Sequence, residues 1–186
     1  MAYASWSVSF GEQPSAAKWN ILGTNDASFN DGTGIAGLYK NLLSVDSNPY
    51  KFRVSRNAAY NSGNNAFSSA VAFDTEQYDT NNNVSSGVYT APVAGFYRFQ
   101  WNSLVGTTAS GQGSCASIFK NGSEVSRGSF CYSSSTGQLL GSAGCDIVQL
   151  SASDTVDVRV FATTTLPGQV GVTTYNYFSG SLVSRT

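Results

Sequence analysis

Two β-strands joined by a turn are predicted by the run Gly87-Val-Tyr-Thr-Ala-Pro-Val-Ala-Gly-Phe-Tyr-Arg-Phe-Gln-Trp101. Pro92 cannot donate to a sheet ladder, so the first strand is predicted to end at Ala91-Pro92. Gly95 is predicted to close the turn, because glycine adopts a positive φ at low cost. In the second strand, side chains alternate between the two faces of the sheet. One face receives Phe96, Arg98 and Gln100, and the other receives Tyr97, Phe99 and Trp101.

The rest of the chain from residue 50 onward carries similar β-signals. Val156, Val158 and Val160 alternate with Asp157 and Arg159, which predicts one core face and one solvent face. Asn121-Gly122 predicts a tight turn after a strand at 114–119. A last strand is predicted from Tyr175–Phe178 and Leu182-Val183, split at Gly180. Many short strands separated by turn residues favour an all-β, two-sheet sandwich.

Several short motifs flank the opening run in a characteristic order. Phe73-Asp74-Thr75 and Tyr78-Asp79-Thr80 precede it. Three others follow it: Ile118-Phe-Lys-Asn-Gly122, Leu150-Ser-Ala-Ser-Asp-Thr-Val156 and Phe178-Ser-Gly-Ser-Leu-Val183. In this order and spacing they resemble the C1q/TNF-like jelly-roll family, over about residues 50–186. Ser153 departs from the pattern, because the family usually has glycine there, which leaves the geometry of that turn open.

The composition limits the classes of function. Only 11% of residues are charged, there is no His, and the net charge is −1, so the sequence offers no electrostatic footprint for nucleic acid or anionic lipid. No apolar run is long enough to span a bilayer, and the N-terminus lacks the pattern of a signal peptide. Cys115, Cys131 and Cys145 are interpreted as small buried residues of a protein folded in a reducing cytoplasm, rather than as a disulfide framework.

Residues 1–49 differ in character from residues 50–186, and we predict a boundary between two parts there. Ser5–Phe10 alternates as a half-buried strand does, and Pro14 fits the first turn of a helix. A helical attachment seam is predicted from Trp19, Leu22, Asp26 and Phe29. The alternative is that the helix ends near Gly23. Such a short helix needs partners to bury its seam.

The segment from Pro14 to Ile35 resembles the N-terminal part of phage and prophage minor structural proteins, which are often tail-associated. This resemblance implies that residues 1–49 attach the chain to a virion. Residues 50–186 are then the displayed head.

Candidate catalytic and metal-binding groups are few. Without His, a Ser-His-acid triad is impossible. Asp74, Glu76 and Asp79 form an acidic cluster that could in principle act as a glycosidase pair or bind calcium through oxygen ligands. The favoured interpretation is a solvated acidic loop, and therefore a protein that is not an enzyme and needs no cofactor.

The aromatic residues of the strands are interpreted as core or subunit contacts rather than as ligand platforms. They are Tyr97, Phe99, Trp101, Phe161, Tyr175, Tyr177 and Phe178. The family resemblance implies that such residues meet at a three-fold axis, and therefore a homotrimer. Candidate ligand contacts lie in long loops rich in Ser, Asn, Thr and Gly. One residue represents each loop: Asn64, Asn82, Gln112, Ser134 and Thr164.

Together these features predict a trimeric phage structural protein of the tail-fibre or receptor-binding type. Its expected partners are other virion proteins, through residues 1–49, and a glycan or protein of the host surface. Its expected location is the virion. Two alternatives remain open: a capsid decoration or head-fibre protein with a purely structural role, and a bacterial surface adhesin.

Overall fold

A computed structural model describes residues 49–169 and 171–186. All regular structure in these residues is β, as predicted, and no helix occurs among them. Accordingly, none of their segments is a helix that could cross a membrane. The predicted strand at Ser5–Phe10 and the helical seam of Trp19, Leu22, Asp26 and Phe29 lie outside the described residues.

Twelve antiparallel strands form two sheets in the described residues. The strands are β1 (Lys51–Ser55), β2 (Ala66–Phe67), β3 (Thr75–Asp79), β4 (Val84–Ser85), β5 (Val88–Thr90), β6 (Gly95–Gly106), β7 (Gly113–Lys120), β8 (Ser123–Arg127), β9 (Cys131–Tyr132), β10 (Leu139–Leu150), β11 (Thr155–Ala162) and β12 (Tyr177–Arg185). The five-stranded sheet has the order β10-β6-β12-β1-β3. The seven-stranded sheet has the order β4-β5-β11-β7-β8, with β2 paired to β11 and β9 paired to β7.

The core lies between the two sheets and is aromatic. Tyr97, Phe99 and Trp101 of β6 are at most 1% exposed, whereas Arg98 and Gln100 on the same strand are exposed, which confirms the predicted alternation. Phe52 of β1 stacks on Tyr89 of β5, with ring centroids 4.8 Å apart. Burying each such ring contributes about 1.5–3 kcal/mol, so the aromatic core is a main source of the stability of this fold.

The outer face of β11 is not the open solvent face that the alternation predicted. Val156, Val158 and Val160 are buried as expected, but Asp157 is also only 5% exposed. Arg159 donates two hydrogen bonds to the Asp157 carboxylate and lies 4.3 Å from the ring centre of Phe119. Phe119, with Phe67 and Phe161, covers this face, so a second small aromatic layer replaces water there.

The turns confirm one glycine prediction and overturn another. Asn121 and Gly122 both have positive φ, 49° and 82°, between β7 and β8, as a tight hairpin turn requires. Gly95 does not have a positive φ, so the conformational argument made for it is wrong. Glycine is required at position 95 because of a close contact instead. A Cβ atom on Gly95 would lie 2.4 Å from the carbonyl oxygen of Ser184 on β12.

The last strand also differs from the prediction. β12 runs through Gly180 without a break, and its irregularity lies between Leu182 and Ser184. Tyr175 precedes the strand in a turn, where its N–H donates to the carbonyl of Val172. Gly180 is needed because a Cβ there would lie 2.7 Å from the rings of Phe52 and Phe99.

Candidate functional site

Four of the five predicted ligand loops meet at one end of the sandwich. The loops were predicted at 61–65, 107–113, 132–137 and 163–168, and in the structure they lie at 61–65, 107–112, 133–138 and 163–169. They contain Asn64, Gln112, Ser134 and Thr164. The N–H of Ser62 donates to Leu166 O at 2.9 Å, and the N–H of Thr163 donates to Gly113 O at 2.9 Å. Tyr132 pairs with Gly113, and Leu139 pairs with Gly106. We call this surface the loop end.

Asn82, the fifth predicted residue, lies at the opposite end. Its neighbour Asn83 accepts a hydrogen bond from the N–H of Thr90, which pairs with Thr155 at the start of β11. The described part of the chain also begins at this end. The carbonyl of Pro49 accepts a hydrogen bond from the hydroxyl of Thr80, next to Asn82, at 2.5 Å. Arg185, the last residue of β12, pairs with Gly95 next to the same end. Both termini of the described part therefore lie away from the loop end.

The loop end carries no charge. Its four loops contain no Asp, Glu, Lys or Arg, and consist mainly of Ser, Thr, Asn, Gln and Gly. Hydroxyl and amide groups both donate and accept hydrogen bonds. Such a surface suits a neutral, hydroxyl-rich or amide-rich partner better than a polyanion.

Two of the loops are interlocked copies of one motif, Thr107-Thr-Ala-Ser-Gly-Gln112 and Ser133-Ser-Ser-Thr-Gly-Gln138. In the first, Gln112 Oε1 accepts from the N–H groups of Thr108 and Ala109, at 2.8 and 3.0 Å. In the second, Gln138 Oε1 accepts from Ser134 and Ser135, at 2.7 and 3.3 Å. The glycines are also equivalent: φ is 74° at residue 111 and 76° at residue 137. We call this pair the twin loops.

Each twin loop holds the first residue of the other. Thr107 N–H donates to Gln138 O, and the Gln138 N–H donates back to the Thr107 hydroxyl at 2.9 Å. In the same way, Ser133 N–H donates to Gln112 O, and the Gln112 N–H donates to the Ser133 hydroxyl at 3.0 Å. Thr107 and Ser133 are each 5% exposed. This reciprocal bonding fixes the two exposed loop tips in one conformation.

The pairing of the twin loops was not predicted, although a signal for it exists. The two six-residue motifs are a visible internal repeat, with a small hydroxyl residue first and Gly-Gln last. The repeat alone does not reveal that the copies contact each other, because 20 residues separate them.

A buried polar network supports the loop 163–169. The Tyr60 hydroxyl donates to Asn176 Oδ1 at 2.7 Å and lies 3.0 Å from the Ser103 hydroxyl. Asn176, 1% exposed, also accepts from Leu104 N–H at 2.8 Å and donates to Gln169 O. Burial raises the pKa of Tyr60 to about 12, so the phenol remains a neutral donor. The network therefore holds this loop at neutral pH.

Two exposed aromatic rings stand beside the twin loops. Phe130 and Tyr132 are 39% and 67% exposed, and their ring centres are 5.0 Å apart. Both rings lie over Gly113, where a Cβ atom would come within 2.7 Å of each of them. The absence of a side chain at Gly113 thus lets the rings rest on the sheet. Sequence reasoning missed this pair, whose only signal is the aromatic spacing around Cys131.

The acidic cluster does not form one ligand set. Asp74 accepts from the N–H groups of Asn57 and Ala58, at 2.8 and 2.7 Å, and pairs with Arg56 at 3.2 Å. Burial would raise the pKa of Asp74, but these hydrogen bonds and the Arg56 charge outweigh it, so the pKa is lowered. Asp79 accepts instead from Val84 N–H at 2.7 Å, and Glu76 is exposed. Within residues 49–169 and 171–186, no three Cys, Asp or Glu side chains are grouped as metal ligands.

The predicted aromatic contacts fall into three environments. Tyr97, Phe99, Trp101 and Phe178 are in the core, at most 1% exposed. Phe161 lies in the aromatic layer outside β11, with its ring 5.8 Å from that of Phe130. Tyr177 lies on the outer face of the five-stranded sheet, under the guanidinium of Arg53 at 4.1 Å. Tyr175 lies in the turn before β12 and is 37% exposed.

All three cysteines are free thiols, but they do not share one environment. Cys115 is fully buried, and burial raises the pKa of its thiol. Cys131 is half-buried, and Cys145 is exposed on the five-stranded sheet, so the prediction that all three are buried is wrong for these two. Cys145 lies opposite Gln100 on the outer face of this sheet, and no described residue covers its side chain in the single subunit.

The two facing antiparallel sheets and their strand order define a jelly-roll sandwich. The chain belongs to the C1q domain family, whose family model matches residues 51–183. No curated protein matches the sequence.

Solved structures with the same fold include three from different sources. The globular domain of zebrafish complement 1qA protein is 20% identical, with a TM-score of 0.54, and the match covers 74% of this chain and 99% of that one. Eiger TNF from S. frugiperda is 9% identical, with a TM-score of 0.54, covering 74% and 94%. Murine APRIL is 10% identical, with a TM-score of 0.53, covering 72% and 98%. At these identities the likeness establishes the fold.

Proposed function

We propose that the chain is a non-enzymatic, homotrimeric subunit of a phage or phage-derived particle, which contacts a glycan or protein of the host surface through its loop end. The observation that carries this proposal is the position of the loops. Four polar loops meet at one end, whereas the described part of the chain begins at Pro49 at the other. A role in which the end at Pro49 faces the particle and the loop end faces the host agrees with this arrangement of the head.

The rigidity of the twin loops supports a recognition role. Ordering a flexible loop on binding costs free energy, and a loop that is already ordered avoids that cost. Thr107 and Ser133 fix the twin loops before any ligand arrives. The exposed rings of Phe130 and Tyr132 add apolar contact area with few rotatable bonds.

The trimer is supported by the family and by the outer face of the five-stranded sheet. C1q-type domains commonly form trimers. On β6 and β10 this face exposes Phe96, Leu139 and Ile147, at 39%, 52% and 55%. Three copies of the loop end on one scaffold gain roughly 10²–10⁴ in avidity over a single weak contact.

Binding of labelled protein to intact host cells tests the proposal. The full-length chain should bind saturably and compete with adsorption of the particle. Thr136→Arg places a long charged side chain on an exposed twin-loop tip and should abolish binding. Ala152→Arg places the same charged side chain at an exposed position of the opposite end and should leave binding intact.

Two results would count against this function. Absence of saturable binding and of competition with adsorption would favour a purely structural decoration subunit. Equal loss of binding in Thr136→Arg and Ala152→Arg would remove the loop end as the contact surface.

A further inference from the structure

The cations of the described chain divide into two groups. Four are paired with carboxylates: Arg56 with Asp74, Lys120 with Asp154, Arg127 with Glu124, and Arg159 with Asp157. The four others, none of which has a carboxylate partner among the described residues, are Lys51, Arg53, Arg98 and Arg185. All four belong to β1, β6 and β12, which adjoin each other in the five-stranded sheet.

Two of the unpaired cations flank one serine on the outer face of this sheet. Lys51 on β1 pairs with Ser181 on β12, and Ser181 pairs with Arg98 on β6. Adjacent strands are about 4.8 Å apart, so the Lys51 and Arg98 backbones lie about 10 Å apart on either side of Ser181. Ser179, Gly180 and Ser181 are small, and the longer side chains on both sides enclose a trough above them.

The trough is a depression of about 290 Å³. Its polar lining consists of Lys51, Tyr78, Arg98, Gln100, Ser179 and Ser181. None of these side chains makes a hydrogen bond or ion pair to another described residue. Within a single subunit, the lining therefore presents ammonium, guanidinium, amide and hydroxyl donors that have no partner among residues 49–169 and 171–186.

No carboxylate of these strands faces the trough. In the five strands of this sheet, the acidic residues are Glu76, Asp79 and Asp146. They stand opposite Val54, Phe52 and Phe99, respectively, whose side chains point into the core. Residues directly opposite each other share a face of the sheet, so the acids lie on the inner side, whereas Lys51 and Arg98 lie on the outer side.

We propose that this trough binds a small oxyanion of the phosphate or sulfate type, held by Lys51 and Arg98 and by the hydroxyls of Ser179 and Ser181. Guanidinium and ammonium groups make their strongest hydrogen bonds to such anions. The site is complete within one subunit, and so the inference does not depend on the proposed host contact. The proposed trimer covers this same face of the sheet, and there the anion neutralises charges that burial would otherwise leave unpaired.

Calorimetric titration of the full-length chain with inorganic phosphate and with sulfate, at constant ionic strength, tests the site. One anion per subunit should bind saturably. Lys51→Gln and Arg98→Gln should each weaken binding about tenfold or more, because each removes a charge-assisted contact. Lys120→Gln is the matched control, since it removes the same charge from a lysine that is already paired with Asp154. It should bind like the wild type.

A further variant tests the same site through a gain in thermal stability. Ser181→Glu places a carboxylate between Lys51 and Arg98, so it should abolish anion binding and raise the melting temperature in anion-free buffer. A merely destabilised protein would show a lower melting temperature instead.

Three results would overturn the proposal. The first is absence of saturable binding by the wild type. The second is equal weakening in Lys120→Gln and Lys51→Gln, which would indicate diffuse charge attraction. The third is loss of the trimer in Lys51→Gln and Arg98→Gln with no change in anion affinity, which would identify a carboxylate of a second copy as the partner of these cations.

Discussion

Ser153 holds a left-handed backbone conformation with φ of 71°, at the turn where glycine is usual in the family. Such a conformation costs a non-glycine residue about 1 kcal/mol. We therefore expect Ser153→Gly to raise the free energy of unfolding by about 0.5–1 kcal/mol, measured by chemical denaturation. The control is Ser151→Gly, because residue 151 lacks a positive φ. It should destabilise the protein slightly, and equal effects of the two changes would contradict the strain at Ser153.

The next residue, Asp154, should make part of the free energy of unfolding depend on pH in the acid range. Its carboxylate accepts from Asn121 Nδ2 at 2.7 Å and pairs with Lys120 at 2.9 Å. These contacts, the Asn121 hydrogen bond first, lower the pKa of Asp154 from 3.8 to about 2. A lowered folded-state pKa gives stability that is present above about pH 4 and is lost as the pH falls toward 2.

The Asp154→Asn variant should show less of this loss. We expect a difference of about 1 kcal/mol between pH 5 and pH 2, after allowance for solvent screening. Denaturation curves across that pH range measure it. Parallel pH profiles for the variant and the wild type would contradict the assignment.

At the scale of elements, the twin loops should act as one unit. Thr107→Val keeps the shape of the side chain but removes the hydroxyl that binds Gln138 N–H, and so leaves a buried donor unpaired. The expected cost is about 1–3 kcal/mol of unfolding free energy. Thr136→Val is the same chemical change at an exposed position of the partner loop, and should cost less than about 0.5 kcal/mol. Similar costs at the two positions would contradict the interlocked arrangement.

The elements also explain what the sequence predicts and what it does not. Strand faces follow from a two-residue period, so the inward set Tyr97, Phe99 and Trp101 was predictable. The two-residue period does not show what covers the outer face of β11, and so the burial of Asp157 was not predicted. The role of Gly95 was missed for a similar reason, because its cause is contact with β12, about 90 residues later in the chain.

The candidate site was predictable only in part. Loop composition singled out the four loops of the loop end, because loops rich in Ser, Thr, Asn and Gly are recognisable, but it singled out the loop at Asn82 as well. The order of the strands in the two sheets decides which loops come together. It places Asn82 at the opposite end from the other four predicted residues. The trough at Lys51 and Arg98 depends on register across three strands, which no local pattern encodes.

At the scale of the whole molecule, the head should fold without the attachment segment. The described strands form their own core, and β1 begins at Lys51, after the predicted boundary. Removal of residues 1–49 should therefore leave a cooperative unfolding transition and a β-type circular dichroism spectrum, while incorporation into the proposed particle should be lost. Loss of folding in the truncated chain would place the boundary elsewhere.

The central claim is that three copies cover the exposed apolar side chains of β6 and β10. Multi-angle light scattering of the purified full-length chain, at micromolar concentration and neutral pH, tests it most directly. The expected mass is three times 19.6 kDa. A single species of 19.6 kDa at that concentration would contradict the trimer.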